Sequence, residues 1–403
     1  MSARLTEDIL RHVRSLPPLP IAVQRLLSVT SDPKADVRAL TRIIEKDQVL
    51  TARILRVANS SFYGLSRRVE TISKAVVILG FQAVRNIALR VAMLGFQRGI
   101  DSELRPHLEA FWKHAIAVAS AAELLATALR LPEPEVAFVA GLLHDLGKMV
   151  LMEVLGERYA RLFERAEAST APLHVREQAA FGITHTEAGQ ALCMHWKIPS
   201  LLTRVVATHH TPTDSNEAAS SEDLLVHTVR VANELAKLAR IGSSGNPYVE
   251  PDSFCIVRAY AGQESLHEVL KALPSKVRTI EAAFFDAGSE KTATPERQEA
   301  CLIPVGVYVQ KPEARGVVTL VLWERGCGIV PLETVSPADV AVGGVIADTS
   351  LPFAVKEHFT RQGIPLLCLP TRPRSAVSLG HALNVKRLHT WMHEISTDAP
   401  SLP

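Results

Sequence analysis

Aromatic side chains make up only 5% of the 403 residues, so Leu, Val, Ile and Ala must fill any large core, a composition suited to packed helices. Hydrophobic residues at 47% against 21% charged exclude a disordered chain. Cysteines are few: Cys193, Cys255, Cys301, Cys327 and Cys368 are odd in number, far apart, and form no Cys-x-x-Cys. That excludes a disulfide framework and points to reduced thiols in a cytoplasmic protein. Met1–Leu10 has no apolar core of a secretory signal. The most apolar stretch, Ala115–Leu131, is small-sided, broken by Glu123 and too short for a membrane span. Repeats and low-complexity tracts are also lacking.

The net charge of +2 hides an asymmetry. Residues 1–100 carry 16 Lys/Arg against 7 Asp/Glu, residues 101–300 carry 19 against 27, and residues 301–403 carry 9 against 8. A basic lobe beside an acidic one can attract an acidic partner or a nucleic acid, or simply be two solvated helical faces. No Lys/Arg run is interleaved with aromatics and no helix-turn-helix appears, which argues against nucleic acid. Arg53, Arg56, Arg67 and Arg68 surround Asn59-Ser60-Ser61-Phe62-Tyr63-Gly64, either a braced loop or a partner-binding surface.

The length allows roughly two to three domains. Helical patterns follow the stiff entry Leu16-Pro17-Pro18-Leu19-Pro20: Ile21–Val29, a helix capped by Asp36 through Glu45, and one capped by Asp47 reaching Ala58. Ile72–Leu79 and Phe81–Phe96 are separated by Gly80. The central block reads as Leu108–Arg130, Pro134–Gly156, Arg158–Ala168, Pro172–Phe181, His185–Trp196, Pro199–His209 and Asp223–Ile241. A helical pair, Glu264–Ala272 and Ser275–Asp286, precedes a polar linker. No strand-like alternation appears before residue 300. Beyond it, Cys301–Gln310, Val317–Trp323, Gly328-Ile329-Val330, Val342–Asp348 and Pro365–Pro370 read as strands, with helix over Phe353–Gln362 and Asn384–Ile395.

Chemistry concentrates in the histidines. His144-Asp145 offers a neutral imidazole and a carboxylate, complementary ligands for a divalent metal. His114, His185, His209 and His210 recur on consecutive helices and outline a bundle that converges on one cavity. The alternative is a polar cluster satisfied internally, without metal.

His144-Asp145-x-Gly147-Lys148 with His114 upstream resembles the HD superfamily of metal phosphohydrolases. The proline-rich entry, Asp47-x-x-Leu50-Thr51-x-x-Ile54-Leu55-x-x-Ala58-Asn59-Ser60 and Ala75-x-x-x-Leu79-Gly80 narrow the likeness to the HDOD (HD-related output domain) branch. His185-x-Glu187-x-Gly189, Trp196-x-Ile198-Pro199 and His209-His210 complete it. The resemblance covers about residues 12–240 and implies an all-helical bacterial signalling domain, an output or scaffold module more than an enzyme. From the catalytic HD-GYP cyclic di-GMP phosphodiesterases it implies metal ligands at His114, His144, Asp145, His185, His209, His210 and Asn233, with Lys148 near a bound phosphate. Fe, Mn, Mg or Zn is the implied metal. Two departures weaken catalysis: the closing Asp is replaced by the neutral amide of Asn233, and Thr211-Pro212-Thr213 replaces Gly-Tyr-Pro.

Residues 301–397 resemble a degenerate, flavodoxin-like response-regulator receiver. Val345-Ile346-Ala347-Asp348 matches its third strand with Asp348 as phosphoacceptor, but Gln310-Lys311 stands where paired acids hold Mg²⁺. The expected architecture is mainly α: an HD-like bundle (12–240), a helical extension (241–287), a linker (288–300) and a small α/β domain (301–397). The function implied is a signalling scaffold with signalling proteins as partners, a homodimer among its options. The alternative is a metal-dependent phosphohydrolase acting on a nucleotide or cyclic dinucleotide.

Overall fold

The computed structural model of the chain describes residues 2–19, 37–46, 69–80, 104–164, 171–211, 220–246, 248–250 and 253–285. It also describes the strand segments 305–308, 329–331, 344–348, 366–369 and 383–384, and single positions 24, 27, 51, 52, 54, 55, 59, 84, 318, 359 and 361. Helices α1 (Ser2–Ser15), α2 (Val37–Glu45) and α3 (Ile72–Leu79) come first. Next are α4 (Arg105–Ala128), α5 (Pro134–Leu143), α6 (Leu146–Leu155), α7 (Glu157–Glu164), α8 (Leu173–Phe181), α9 (His185–His195), α10 (Ser200–Thr208) and α11 (Ser221–Leu238). A short strand β1 (Tyr248–Val249) and the long α12 (Phe254–Phe285), kinked at Gly262, close the helical part.

The scarcity of aromatics is explained by α4. Its Ala115, Ala117, Ala119, Ala121 and Ala122 are fully buried, and α5, α11 and α12 all pack on it. Small side chains let backbones approach: a Cβ on Gly141 of α5 would stand 2.8 Å from the Ala119 Cα. On the other side α9 packs against α6, α10 and α1. The proline-rich entry is tied to the end of α9, where the His195 ring bonds the Leu16 carbonyl at 2.8 Å and the Trp196 indole donates to the Pro17 carbonyl at 3.1 Å.

Where the sequence pattern reads as one helix over Pro134–Gly156, the chain forms two, broken at His144 and Asp145. Asp145 has φ −104° and ψ 13°, outside the helical spiral. The break has a physical consequence, because successive side chains on an unbroken helix diverge by about 100°. Both side chains are interior: His144, still helical in φ and ψ, is 0% exposed, and Asp145, outside the spiral, is 1% exposed.

Other differences are smaller. The helix expected to break between Ala272 and Ser275 instead starts at Phe254, runs through Pro274 and kinks at Gly262, whose φ is +79°. Strand β1 escapes a search for alternation because it has two residues. Buried polar groups of α11 hold it: Lys237 Nζ donates to the Tyr248 carbonyl at 2.9 Å, and the Glu250 amide donates to Glu234 Oε2 at 3.0 Å. Asn59 bonds the Leu55 carbonyl and, through both ends of its amide, the Val69 backbone, the bracing role; Ser60–Arg68 lie outside the described residues. The side chains of Cys255, Cys301, Cys327 and Cys368 do too, while Cys193 is a buried free thiol. Among the described residues no helix is long and apolar enough to cross a membrane.

Beyond residue 300 lie β2 (Val305–Tyr308), β3 (Ile329–Pro331), β4 (Gly344–Asp348), β5 (Leu366–Leu369) and β6 (Leu383–Asn384). The first four form a parallel sheet in the order β3-β2-β4-β5. Val318 is helical and buried, although Val317–Trp323 reads as strand; β-branched composition is a weak guide against tertiary context. Asn384 is likewise in strand, not at a helix start, because β6 pairs antiparallel with β1, Tyr248 facing Asn384 and Val249 facing Leu383.

The closest helix contact near the His-Asp break is between α6 and α9. A Cβ on Gly147 would lie 1.8 Å from the His185 carbonyl oxygen and 2.6 Å from the Gly189 amide nitrogen, both backbone atoms. The Gly147→Ala protein is therefore expected to lose at least about 1–3 kcal/mol of stability. Urea unfolding measures it, and an unchanged midpoint would show that α6 and α9 do not meet there.

Candidate functional site

Asp145 is the hub of the buried centre. His144 Nε2 lies 3.2 Å from its Oδ2, His185 Nε2 3.3 Å and His209 Nε2 3.5 Å from its Oδ1. His114 Nε2 is 3.9 Å from Oδ2. These side chains come from α4, the α5–α6 break, the first residue of α9 and the end of α10. His185 is set by a capping box, in which the Thr184 side chain accepts from the Glu187 amide and Glu187 reaches back to the Thr184 amide. Glu187 thus serves the helix end, not the centre.

The tautomers follow from the partners of the opposite ring nitrogens. His144 Nδ1 donates to the Gly141 carbonyl at 2.7 Å and His209 Nδ1 to the Val206 carbonyl at 3.1 Å, because a carbonyl only accepts. His185 Nδ1 donates to Glu177 Oε2 at 2.6 Å, and Glu177 also takes the His185 amide at 2.9 Å. The His185 ring is positioned by a carboxylate, as metal-bound imidazoles usually are. With Nδ1 engaged in each ring, all three Nε2 atoms turn towards the Asp145 oxygens.

An imidazole nitrogen facing a carboxylate oxygen needs a proton or a metal ion between them. The Nε2 atoms of His144, His185 and His209 and Oδ1 of Asp145 are all buried and lack any hydrogen-bond partner. Ligand atoms of Asp145, His185, His209 and His210 all lie within 4.8 Å of one another, as do those of His114, His144 and Asp145. The unpaired atoms and the mixed imidazole–carboxylate donor set fit a divalent ion.

Electrostatics agree. Burial drives His209 down to about 3, so its ring is neutral near pH 7. Burial, with neighbouring positive charge, also holds His114 and His210 well below the usual imidazole range. For Asp145, burial favours the neutral acid, but His144 and Lys148 outweigh it and hold the carboxyl well below its ordinary range. Glu177 is likewise buried yet lowered, through His185.

Two further residues of the cluster have direct protein partners. Lys148 is only 2% exposed, and its Nζ donates to Asp145 Oδ2 at 2.6 Å and to the Ser244 carbonyl at 3.0 Å. Its ammonium is held inside the cluster. The Ser244 carbonyl is delivered by a loop seated on α4, where Gly242 (φ +67°) brings its backbone so close that a Cβ would be 2.2 Å from the His114 nitrogen. Asn233 does meet the cluster, but its Oδ1 accepts from His114 Nε2 at 3.0 Å. The amide and the ring thus bond each other directly. Asp348 closes β4; its side chain lies outside the described residues.

The sequence pattern misses Glu177, His174 and Glu250. Helix α8 has no clean apolar stripe to show which polar residues face inward, and Glu250 follows a two-residue strand. Glu177→Gln is expected to weaken divalent-metal binding at the Asp145 centre by about 10–100-fold, since it removes the carboxylate that fixes the His185 ring. Equilibrium dialysis against Zn²⁺ checks this, and an unchanged affinity would show that His185 does not bind the ion.

Comparison with known proteins places this site in context. An uncharacterized protein of Treponema pallidum (strain Nichols) is 25% identical over 234 residues, 58% of this chain and 44% of that protein, so the chain spans less than half of that curated relative. A crystal structure of an HDOD domain protein of unknown function from Geobacter sulfurreducens matches with a TM-score of 0.58 and 25% identity, covering 70% of this chain and 98% of that one. A candidate phosphohydrolase from Shewanella amazonensis SB2B matches with a TM-score of 0.51 and 25% identity over 68% of this chain and 97% of that one. Residues 16–212, which include the His-Asp break and the His209-His210 pair, match the HDOD domain, and the chain therefore carries an HDOD domain.

Proposed function

We propose that this protein is a signal-transduction output or scaffold protein whose helical domain holds one divalent metal on His144, Asp145, His185 and His209 as a structural centre, without turnover. The observation that carries it is Lys148. A cation that neutralises a phosphoryl oxygen must be free to meet it, whereas Lys148 Nζ is buried on Asp145 and the Ser244 carbonyl. The amide at Asn233 adds no negative charge and is engaged with His114. A bound ion would engage the unpartnered donor atoms and lock α5, α6, α9 and α10 together. Fe, Mn, Mg or Zn is the candidate metal; the imidazole-rich set favours Fe, Mn or Zn over Mg. The partners of such a module are signalling proteins.

A second reading, a metal-dependent phosphohydrolase acting on a nucleotide or cyclic dinucleotide, is favoured by the four unpartnered donor atoms. A bound divalent ion supplies a water of lowered pKa and screens phosphate charge. The likeness to a candidate phosphohydrolase points the same way. The two readings part in one experiment. Purified protein is expected to contain metal that His144→Ala and Asp145→Ala lose, and to hydrolyse bis(p-nitrophenyl) phosphate with Mn²⁺ or Fe²⁺ no faster than those variants. Hydrolysis by the wild type alone would establish the enzyme.

The C-terminal strands support a receiver-like domain. The parallel order β3-β2-β4-β5 is the 2-1-3-4 order of flavodoxin-like folds, and Asp348 closes β4 at the carboxyl edge where such folds bind ligands. Gln310 and Lys311 supply no acids for Mg²⁺. Incubation with acetyl phosphate and Mg²⁺ is accordingly expected to leave Asp348 unmodified by intact-mass analysis; a phosphoryl adduct lost in Asp348→Asn would make this a working receiver.

A further inference from the structure

A second group of donors lies beside the Asp145 centre. His174 of α8, His210 just after α10 and Glu250 just after β1 bring ligand atoms within 4.8 Å of one another. The His174 and His210 rings are stacked, 4.6 Å between centroids and 22° from parallel. His210 Nδ1 is 3.9 Å from Glu250 Oε1.

The Glu250 carboxylate is engaged through one oxygen only. Its residue is 7% exposed, and Oε2 accepts from the Arg230 guanidinium at 3.0 Å. Arg230 is fixed in turn, donating to Ser253 Oγ at 2.8 Å and to the Thr211 carbonyl at 2.8 Å. Oε1, in contrast, is buried with no hydrogen-bond partner, and so is His174 Nδ1. An unsatisfied buried polar atom costs about 1–3 kcal/mol. Here one carboxylate oxygen and one imidazole nitrogen are left unsatisfied side by side, with a second imidazole between them and the Asp145 group.

We propose that His174, His210 and Glu250 form a second divalent-cation site, joined through His210 to the Asp145 centre. Two imidazoles and one carboxylate is a donor set that suits Zn²⁺, Co²⁺, Fe²⁺ or Mn²⁺ and leaves a coordination position for water or a ligand. Nitrogen and oxygen donors sit about 2.0–2.2 Å from such ions, so two of them around a tetrahedral ion lie about 3.3–3.6 Å apart. The group would close by up to about an ångström on binding one. Arg230 offsets part of the carboxylate charge, which disfavours Ca²⁺ and Mg²⁺, ions that rely on anionic oxygen. Three separate segments supply the ligands, so loading the site would tie β1 and the loop after α11 to α8 and α10.

This goes beyond the Asp145 reading, because His174 and Glu250 serve only the second site. The test is a Co²⁺ titration of the chelator-stripped, full-length chain, followed by visible absorption and by metal analysis after dialysis. His174→Ala and Glu250→Gln are each expected to take up one equivalent of Co²⁺ fewer than the wild type, while His144→Ala keeps the equivalent that they lose. Wild-type stoichiometry and affinity in both His174→Ala and Glu250→Gln would overturn the proposal. Equal uptake by wild type and His144→Ala would instead count against the Asp145 centre alone. Glu250→Gln keeps an oxygen for Arg230; should it nonetheless unfold by circular dichroism, the half-buried His174→Ala decides by itself.

Discussion

A single buried carboxylate organises the middle of this molecule. Asp145 sits where four helical segments meet, faced by three imidazole nitrogens and one ammonium. Removing a carboxylate from water is costly unless charge and hydrogen bonds replace the lost hydration. Lys148, three residues along the chain, sets its Nζ 2.6 Å from Oδ2. It satisfies Oδ2 and leaves Oδ1 turned towards His185 and His209. Lys148 thus takes up one oxygen of Asp145, and the unpaired nitrogens and Oδ1 mark where a bound cation would find donors.

The rest of the helical domain can be understood as support for that arrangement. The break between α5 and α6 falls at two adjacent residues whose side chains are both buried in the centre. Gly147 and Gly189 let α6 and α9 touch backbone to backbone, which places His185 over Asp145. Alanines along α4 and Gly141 on α5 bring His114 close from the other side. The loop at Gly242 lies on α4 and hands Lys148 the carbonyl that fixes its ammonium. Glu177 and the capping box of α9 then set the rotation and height of the His185 ring. Each device acts by geometry, and the chemistry of the centre is a consequence.

Beyond this centre, buried polar groups of α11 carry a structural load of their own. Lys237, Glu234 and Arg230 anchor the segment 248–250, and that segment pairs through β1 with β6 from the C-terminal region. Burial raises the pKa of Glu234 despite the attraction of Lys237, as expected for a carboxyl with little solvent. The same segment carries Glu250, so the contact between the two parts of the chain and the second donor cluster share one short stretch of backbone.

The sequence by itself determined the helical character, most element positions, and which histidines and which aspartate would converge, because apolar spacing follows the helix period and the His-Asp motif sits at fixed points along it. It also held the departures at Asn233 and Gln310-Lys311. Only the tertiary structure decided what those residues do. Lys148 bonds Asp145, Asn233 bonds His114, and Glu177, His174 and Glu250 enter the interior from segments with no periodic signal. The reason is that hydrogen-bond partnership and burial depend on which segments, distant in sequence, end within a few ångströms of each other. Spacing along one helix does not encode that.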